Sequence, residues 1–523
     1  MPAGLSTSDF YYILPELVLT AGALILLIAD VLLSFGRLKA APSPAEGLSR
    51  LSRPSTALGT AASWSKSRAL AVVTLVAIGA TLASLGWFTR AHVEVAHGLL
   101  AVDRFSLFFK ILFLVAAALT VLMSTRYLDI EGASPGEYYF LILCATLGMM
   151  IMAGGIDLIA IFIGLETMAV SFYILAGFIK PNQRSNEAAV KYFLLGAFSL
   201  GVLLYGMSFM YGMSGTTSLR VMARAFVGQE HDPRLILAVI MVVAGIGFKI
   251  AAVPFHMWAP DVYEGAPTPV TAFLSVGSKA ASFAMLLRIF LEGMPTLSAD
   301  WWKLFAVLAV VTMTVGNVAA LTQSNLKRML AYSSIAHAGY LLIGVVAAGK
   351  GFERGVAATL VYLFIYSFMQ LGAFMVVVMM RRQNVIGDEL KDLSGLYARR
   401  PVAAFAMLLF MLSLGGIPPT AGFMGKFWLF SAAIESHVVW LAVVGVLNSA
   451  ISLYYYVRVV VFMYLKKDAT GTVDSAASPS LVLAMTVAVV ATLVLGVYPR
   501  LLFQVAEASA RTLGATGILT AIR

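Results

Sequence analysis

Four ionisable side chains stand where a bilayer would make them costly. Lys249, Lys279 and Lys426 each lie inside, or at a Gly/Pro break within, an apolar stretch long enough to span a membrane, and Glu166 lies in a fourth. Charges at that depth are expensive and mark charge or proton paths, so the pattern points to proton chemistry. Glu166 belongs to DLIAIFIGLETMAVSFYIL (157–175), with Lys249 as its natural partner. In such a pair each charge offsets the other's desolvation, and coupled groups titrate as a unit. An ion pair that only locks two helices together is the competing reading.

Lys279, in FLSVGSKAASFAML (273–286), has Ser275, Ser278 and Ser282 nearby and lies eleven residues into its stretch, too central for an easy snorkel to the headgroups. A desolvated ammonium releases its proton more readily than one in water. His337, in LAYSSIAHAGYLL (330–342), stands among Ser333, Ser334 and Tyr340. An imidazole with its ordinary pKa of about 6.5 suits a relay, and a satisfied core histidine is the alternative. His256, in VPFHMWAPD (253–261), neighbours Asp261 and Glu264 and suits a gate or a cap on freed backbone. Asp157, Tyr192 and Tyr332 fit the lining of water chains or plain helix contacts. Lys110 and Lys303 read as anchors near span ends, and Arg288 and Arg458 as end charges. The remaining histidines form no spaced metal set, Cys144 is the sole cysteine, and no GxGxxG, P-loop, CxxC or hydrolase elbow occurs. The chain carries no sign of redox or nucleotide chemistry of its own.

These residues need a frame of membrane helices. Of 523 residues, 60% are hydrophobic and 12% charged, with a mean hydropathy of +0.90. That composition belongs to an integral membrane protein. Apolar windows of roughly 20 residues, the length that crosses the hydrocarbon core as a helix, fall at 10–33, 69–89, 104–125, 137–154, 157–179, 188–213, 235–257, 268–291, 301–322, 328–348, 355–380, 401–433, 438–465 and 480–503. The fold class is therefore all-α and polytopic, with about fourteen spans. Two stretches are interrupted: AGIGFKIAAVPFHMWAPDVYEGAPTP (244–269) and SLGGIPPTAGFMGKFWLF (413–430). Each places a lysine beside Gly and Pro, and the odd offset of five spans from one to the other turns the second upside down, the mark of inverted repeats with broken helices. The units are drawn as three leading spans (1–136), two five-helix repeats (137–300 and 301–466) and a closing span (467–523).

The formal charge of +10 is mostly topology. Lys39, Arg50, Arg53, Lys66, Lys180, Arg184, Lys327, Arg328, Arg381, Arg382, Lys466 and Lys467 fall on alternate connections. By the positive-inside rule that face is cytoplasmic and both termini face outward. Nothing points to a nucleic-acid partner. Residues 36–68, rich in Ser, Pro, Ala and Arg, read as a flexible cytoplasmic loop.

GFKIAAVPFHMWAPDVYEGAPTPVTAFLSVGSKAA (247–281), SNLKRMLAYSSIAHAGYLL (324–342) and GGIPPTAGFMGKFW (415–428) resemble the antiporter-like membrane subunits of proton-pumping NADH:quinone oxidoreductase, respiratory complex I, and its subunit N in particular. The resemblance implies two inverted repeats with proton half-channels joined by a central line of charged residues. It gives Glu166 and Lys249 the role of a coupled pair, Lys279 that of the connecting lysine, His337 that of a central relay, and Lys426 that of the charged residue on the second broken helix. It implies no cofactor in this chain, with NADH, flavin, iron-sulfur clusters and quinone handled by partner subunits. The implied surroundings are adjacent antiporter-like subunits and the bilayer of a bacterial inner membrane. A subunit of a multisubunit cation/proton antiporter is the alternative, and an inert membrane scaffold a third reading.

Overall fold

Membrane helices dominate because the backbone of an apolar segment must satisfy its own hydrogen bonds in lipid. The computed structural model describes residues 7–39, 56–89, 91–381, 387–467 and 478–514. Its longer helices, in chain order, are α1 (Leu14–Lys39), α2 (Thr56–Leu85), α3 (Arg104–Glu131), α4 (Pro135–Gly154), α5 (Leu158–Ala176), α6 (Gln183–Ser214), α7 (Pro233–Ile250) and α8 (Trp258–Gly265). They continue with α9 (Thr268–Gly293), α10 (Ser298–Leu321), α11 (Leu326–Gly349), α12 (Glu353–Met380), α13 (Pro401–Gly415), α14 (Ala421–Glu435), α15 (Val439–Leu465), α16 (Pro479–Val497) and α17 (Arg500–Gly514). Among the described residues, 13 helices are long and apolar enough to cross a membrane, and the stretch expected over 401–433 is divided into α13 and α14. A short antiparallel hairpin, β1 (Val93–Val95) with β2 (Leu100–Val102), precedes α3 and pairs Val93 with Val102.

Helices α9, α11 and α12 are buried along almost their whole length, whereas α1, α6, α15 and α16 turn Ile28, Phe198, Tyr454 and Leu483 outward. Large apolar side chains on the outer surface are what a bundle solvated by lipid presents. Among the described residues the centre is thus shielded from the outer surface, and Lys279, His337 and Lys426 gather there.

Both expected interruptions are real. α7 stops at Ile250, where Ala251 turns to φ 58°, and a non-helical turn leads into α8. α13 stops at Gly415, where Gly416 takes φ 83°, and Pro418 and Pro419 bar any continuation before α14 begins. Each turn contains a cis proline, Val253–Pro254 in one and Pro418–Pro419 in the other. Gly416 suits its left-handed backbone, and a Cβ there would push on the Lys426 side chain, 2.9 Å away at Cδ.

Both ends of the segment expected as a loop at 36–68 are helical. α1 runs on to Lys39 and α2 already begins at Thr56, since the Ala-rich run TALGTAAS extends the following span without a breaker. Residues 40–55 lie outside the described residues, as do 382–386 and 468–477 in the two later connections.

Candidate proton pathway

The last turn of α7 carries Lys249, buried to 3% exposure, with its Nζ donating to the Tyr173 hydroxyl at 3.4 Å. Tyr173 lies seven residues beyond Glu166 on α5, two turns along the same face. Glu166 is half-buried, its Oε1 has no partner, and no ion pair within 4.0 Å joins it to Lys249. The two are within electrostatic reach, with the Tyr173 hydroxyl close to both. From Tyr173 an aromatic run leads inward: Tyr192 meets it edge-on at 4.8 Å and stacks on Trp258 at 4.7 Å, which meets Tyr263. Trp258 Nε1 donates to Phe248 O at 2.8 Å and so fastens α8 across the break to the end of α7.

A continuous set of hydroxyls begins at Tyr263, whose OH faces Ser334 Oγ at 3.4 Å. Lys279 Nζ donates to the Ser334 carbonyl and to Ser334 Oγ at 2.5 Å, beside the Tyr366 ring. Tyr366 OH donates to the same Ser334 Oγ at 2.9 Å. Less than one turn further along α11, His337 meets the Tyr362 hydroxyl with Nδ1 at 2.5 Å and the Tyr456 hydroxyl with Nε2 at 3.1 Å. Tyr456 OH in turn meets Ser333 Oγ at 2.6 Å. Each hydroxyl can donate and accept, so an imidazole between two of them can take a proton on one nitrogen and release another.

Lys426, on α14, closes the set. Its Nζ donates to the Leu414 and Gly415 carbonyls, both at 3.0 Å, and to Ser449 Oγ at 2.8 Å, and it lies 4.9 Å over the Tyr340 ring. The two carbonyls are orphans of the α13 C-terminus, whose partial negative charge suits an ammonium. Tyr340 packs on His337 at 5.7 Å, and its OH accepts from Asn317, which accepts from Tyr455 in turn.

The structure thus gathers Lys279, His337 and Lys426 around shared hydroxyls and ring faces, and sets Glu166 and Lys249 beside Tyr173. The tyrosines were not singled out in advance, apart from Tyr192, Tyr332 and Tyr340. The signal was there in Tyr362 and Tyr366 at i and i+4 and in the run Tyr454–Tyr455–Tyr456, but aromatic residues at helical spacing also read as core.

Other expectations are corrected. Lys110 is no span-end anchor: it is buried and pairs with Glu16 at 2.6 Å, tying α3 to α1. Arg288 is no headgroup-facing end charge either. It is fully enclosed, grips both oxygens of Asp103 at 2.8 Å and pairs with Glu292 on the next turn. Asp157 caps α5, accepting from Ile159 N at 2.8 Å and from Thr217. Arg458 donates to the Leu321 and Gln323 carbonyls, whereas Lys303 is exposed beside Asp300 as an anchor should be. The acids expected beside His256 are engaged by others: Asp261 by Lys191 at 2.8 Å and Arg328 at 2.7 Å, and Glu264 by Arg328 at 3.0 Å. Burial pushes the Asp261 carboxyl up, but those two cations outweigh it and hold it below the usual range. Burial lowers the affinity of His256 for a proton. Among the described residues no group of three or more His, Cys, Asp or Glu is placed to hold a metal ion.

The family described as NADH:quinone oxidoreductase/Mrp antiporter, TM, matches residues 155–452, a stretch that encloses both breaks. NADH-quinone oxidoreductase subunit N 2 of Solibacter usitatus is 50% identical over 413 residues, covering 79% of this chain and 83% of the relative. NADH-quinone oxidoreductase subunit N 1 of Koribacter versatilis is 43% identical across 100% of this chain and 99% of its own. The chain belongs to the NADH-quinone oxidoreductase subunit N family. A chain in respiratory complex I from Thermus thermophilus with bound aureothin superposes with a TM-score of 0.75 at 32% identity, covering 94% of this chain and 99% of that one.

Proposed function

We propose that Glu166, Lys249, Lys279, His337 and Lys426 carry protons through this subunit. Membership of the subunit N family makes the chain a multi-pass membrane subunit of proton-translocating NADH-quinone oxidoreductase. The observation that supports the pathway reading is the hydrogen-bonded set of hydroxyls around Lys279 and His337, with Lys426 one ring away. Lysines at bilayer depth cost about 2.5–3.5 kcal/mol each on insertion scales. A bundle that needed only stability would do as well with matched apolar residues.

In this reading Lys249 exchanges a proton under the influence of Glu166, Lys279 passes one through Ser334 and Tyr366, His337 hands it on between Tyr362 and Tyr456, and Lys426 receives it at the second break. Residues 137–300 and 301–466 act as two inverted repeats, each with its broken helix. Electron transfer from NADH to quinone takes place in other subunits, which hold the flavin, iron-sulfur clusters and quinone. The neighbours are other membrane subunits of that complex, including antiporter-like ones, in a bacterial inner membrane with both termini on the periplasmic side.

The test is NADH-driven proton uptake by membrane vesicles carrying Lys249→Ala, with assembly of the complex checked in the same preparation. Lost uptake in an assembled complex is expected. Unchanged uptake would reduce the lysine to a structural residue and sink the pathway.

A further inference from the structure

One enclosed amide has no place in the line described so far. Gln370, in α12, has no solvent exposure, and neither its Nε2 nor its Oε1 finds a hydrogen-bond partner in the chain. An amide buried in that way is strongly disfavoured, and ordered water is what ordinarily satisfies such groups. Position indicates where that water leads. Tyr362, Tyr366 and Gln370 recur every four residues and share one face of α12. The first touches His337 and the second touches Ser334, the acceptor for Lys279. Gln370 extends the row by about 6 Å, one more turn toward the Met380 end.

The helix packed along this face supplies a second polar row. α9 contacts α12 through Thr268–Ser278 and carries Thr271, Ser275 and Ser278, all buried, on the approach to Lys279. Ser278 instead faces the Tyr192 side chain, toward Lys249. At the far end Thr271 Oγ1 donates to Tyr263 O at 3.0 Å and faces Ala266 O, the carbonyl that accepts from the buried Lys327 at 2.7 Å. Lys327 lies within electrostatic reach of Asp388 and Arg381, and Arg381 pairs with Glu131 at 2.6 Å. Asp388 Oδ2 is buried and unpartnered as well. Two unpartnered polar groups, Gln370 and Asp388, and a buried lysine therefore mark one side of Lys279, the side where α3 and α12 end and α9 and α11 begin.

We infer that Gln370 holds a column of water running from the Lys327 cluster to Lys279, so that Lys279 has a proton inlet of its own, separate from Lys249. Each water accepts one proton from the Lys327 side and passes another toward Lys279. A neutral Lys279 gains one proton and the charged cluster loses one, which the aqueous surface returns. Gln370 is a positioning residue here, orienting water without exchanging protons itself. The inference rests on the pathway reading above.

The experiment compares Gln370→Leu, Gln370→Asn and Lys279→Ala in the assembled complex, measuring NADH-driven proton uptake by vesicles together with thermal stability. Gln370→Leu should lower uptake by about tenfold, short of the hundredfold or more contributed by a group that transfers the proton itself. Its stability should not fall, because the leucine asks for no partner. Gln370→Asn, which can still anchor water, should restore most of the uptake. Full uptake in Gln370→Leu beside lost uptake in Lys279→Ala would overturn the inlet alone, and full uptake in both would overturn the pathway beneath it. Should Gln370→Leu not assemble, density for the native complex decides: ordered water bonded to the Gln370 amide supports the column, and an amide with no water against it overturns it.

Discussion

Lys426, beside the second break, commits all three of its N–H donors inside the protein, to Leu414 O, Gly415 O and Ser449 Oγ at 2.8–3.0 Å. Lys249, beside the first, has one hydroxyl at 3.4 Å and a carboxylate it does not touch. The two sites share a sequence signature, a lysine next to a Gly/Pro interruption, yet the breaks present different backbone to them. At the second, the end of α13 aims two carbonyls at Lys426 across a turn in which Gly416 takes the left-handed backbone. At the first, the carbonyls of α7 are used elsewhere: Gly247 O accepts from Ala252 N, and Phe248 O accepts from Trp258 and Ala251. A hydrogen bond to a charged group is worth roughly 1.5–3 kcal/mol, so Lys426 is held firmly and Lys249 loosely. A loosely held ammonium can respond to the charge of Glu166, and a firmly held one can receive at a fixed place.

The sharpest way to break this contrast is to remove each ammonium while keeping its volume. Lys426→Met and Lys249→Met should both stop NADH-driven proton uptake. Their stabilities should part company: Lys426→Met orphans the Leu414 carbonyl, at about 1–3 kcal/mol for a group left unsatisfied, while Gly415 O keeps the Ser449 hydroxyl at 3.2 Å, whereas Lys249→Met orphans no carbonyl. Thermal inactivation of the purified complex measures the difference. Equal losses would show that the carbonyls at the second break do not depend on the lysine.

A smaller change sharpens the same point. Of the three acceptors on Lys426, only Ser449 has a hydroxyl able to accept a proton and pass one on; carbonyls cannot. Ser449→Ala removes a hydroxyl that accepts from Lys426 and donates to Gly415 O, and should cost about 2–3 kcal/mol of stability, yet slow proton uptake well beyond what that cost explains. Uptake that stays normal would mean that the proton leaves Lys426 by a route other than the Ser449 hydroxyl.

How much of this could be read from residues alone depends on what each signal was made of. The spans were legible because apolar length is a strong constraint, and the breaks because Gly and Pro in GGIPPT and in KIAAVPFHMWAP leave a helix no way to continue. Lys249, Lys279 and Lys426 stood out for the same reason: a charge in hydrocarbon has few bland explanations. The tyrosines did not, since Tyr362, Tyr366 and Tyr456 spend most of their surface as core and reveal their role only through a hydroxyl whose partner is on another helix. Partners distant in sequence were equally invisible. Lys110 with Glu16 and Arg288 with Asp103 are 94 and 185 residues apart, and each lies close enough to a span end to pass for an anchor. The helical start of α2 at Thr56 was hidden by Ser and Gly residues that suggest a loop while permitting a helix when the next span supports it.

The smallest effect is expected at Tyr173, and it tests the loose end directly. Tyr173→Phe removes the one hydroxyl that Lys249 reaches, but a 3.4 Å contact is at the weak limit of a hydrogen bond. The ring stays to pack against Tyr192, and Glu166 stays to attract the ammonium. If Lys249 is held mainly by that charge, proton uptake should change by less than about twofold, an energy difference of under about 0.5 kcal/mol, while Glu166→Gln in the same background should slow it severely. The opposite ranking, with Tyr173→Phe as damaging as Lys249→Ala, would mean that the proton itself passes through the Tyr173 hydroxyl. Both breaks would then deliver protons to a fixed hydroxyl, Tyr173 at one and Ser449 at the other, and the contrast between a responsive lysine and an anchored one would fall.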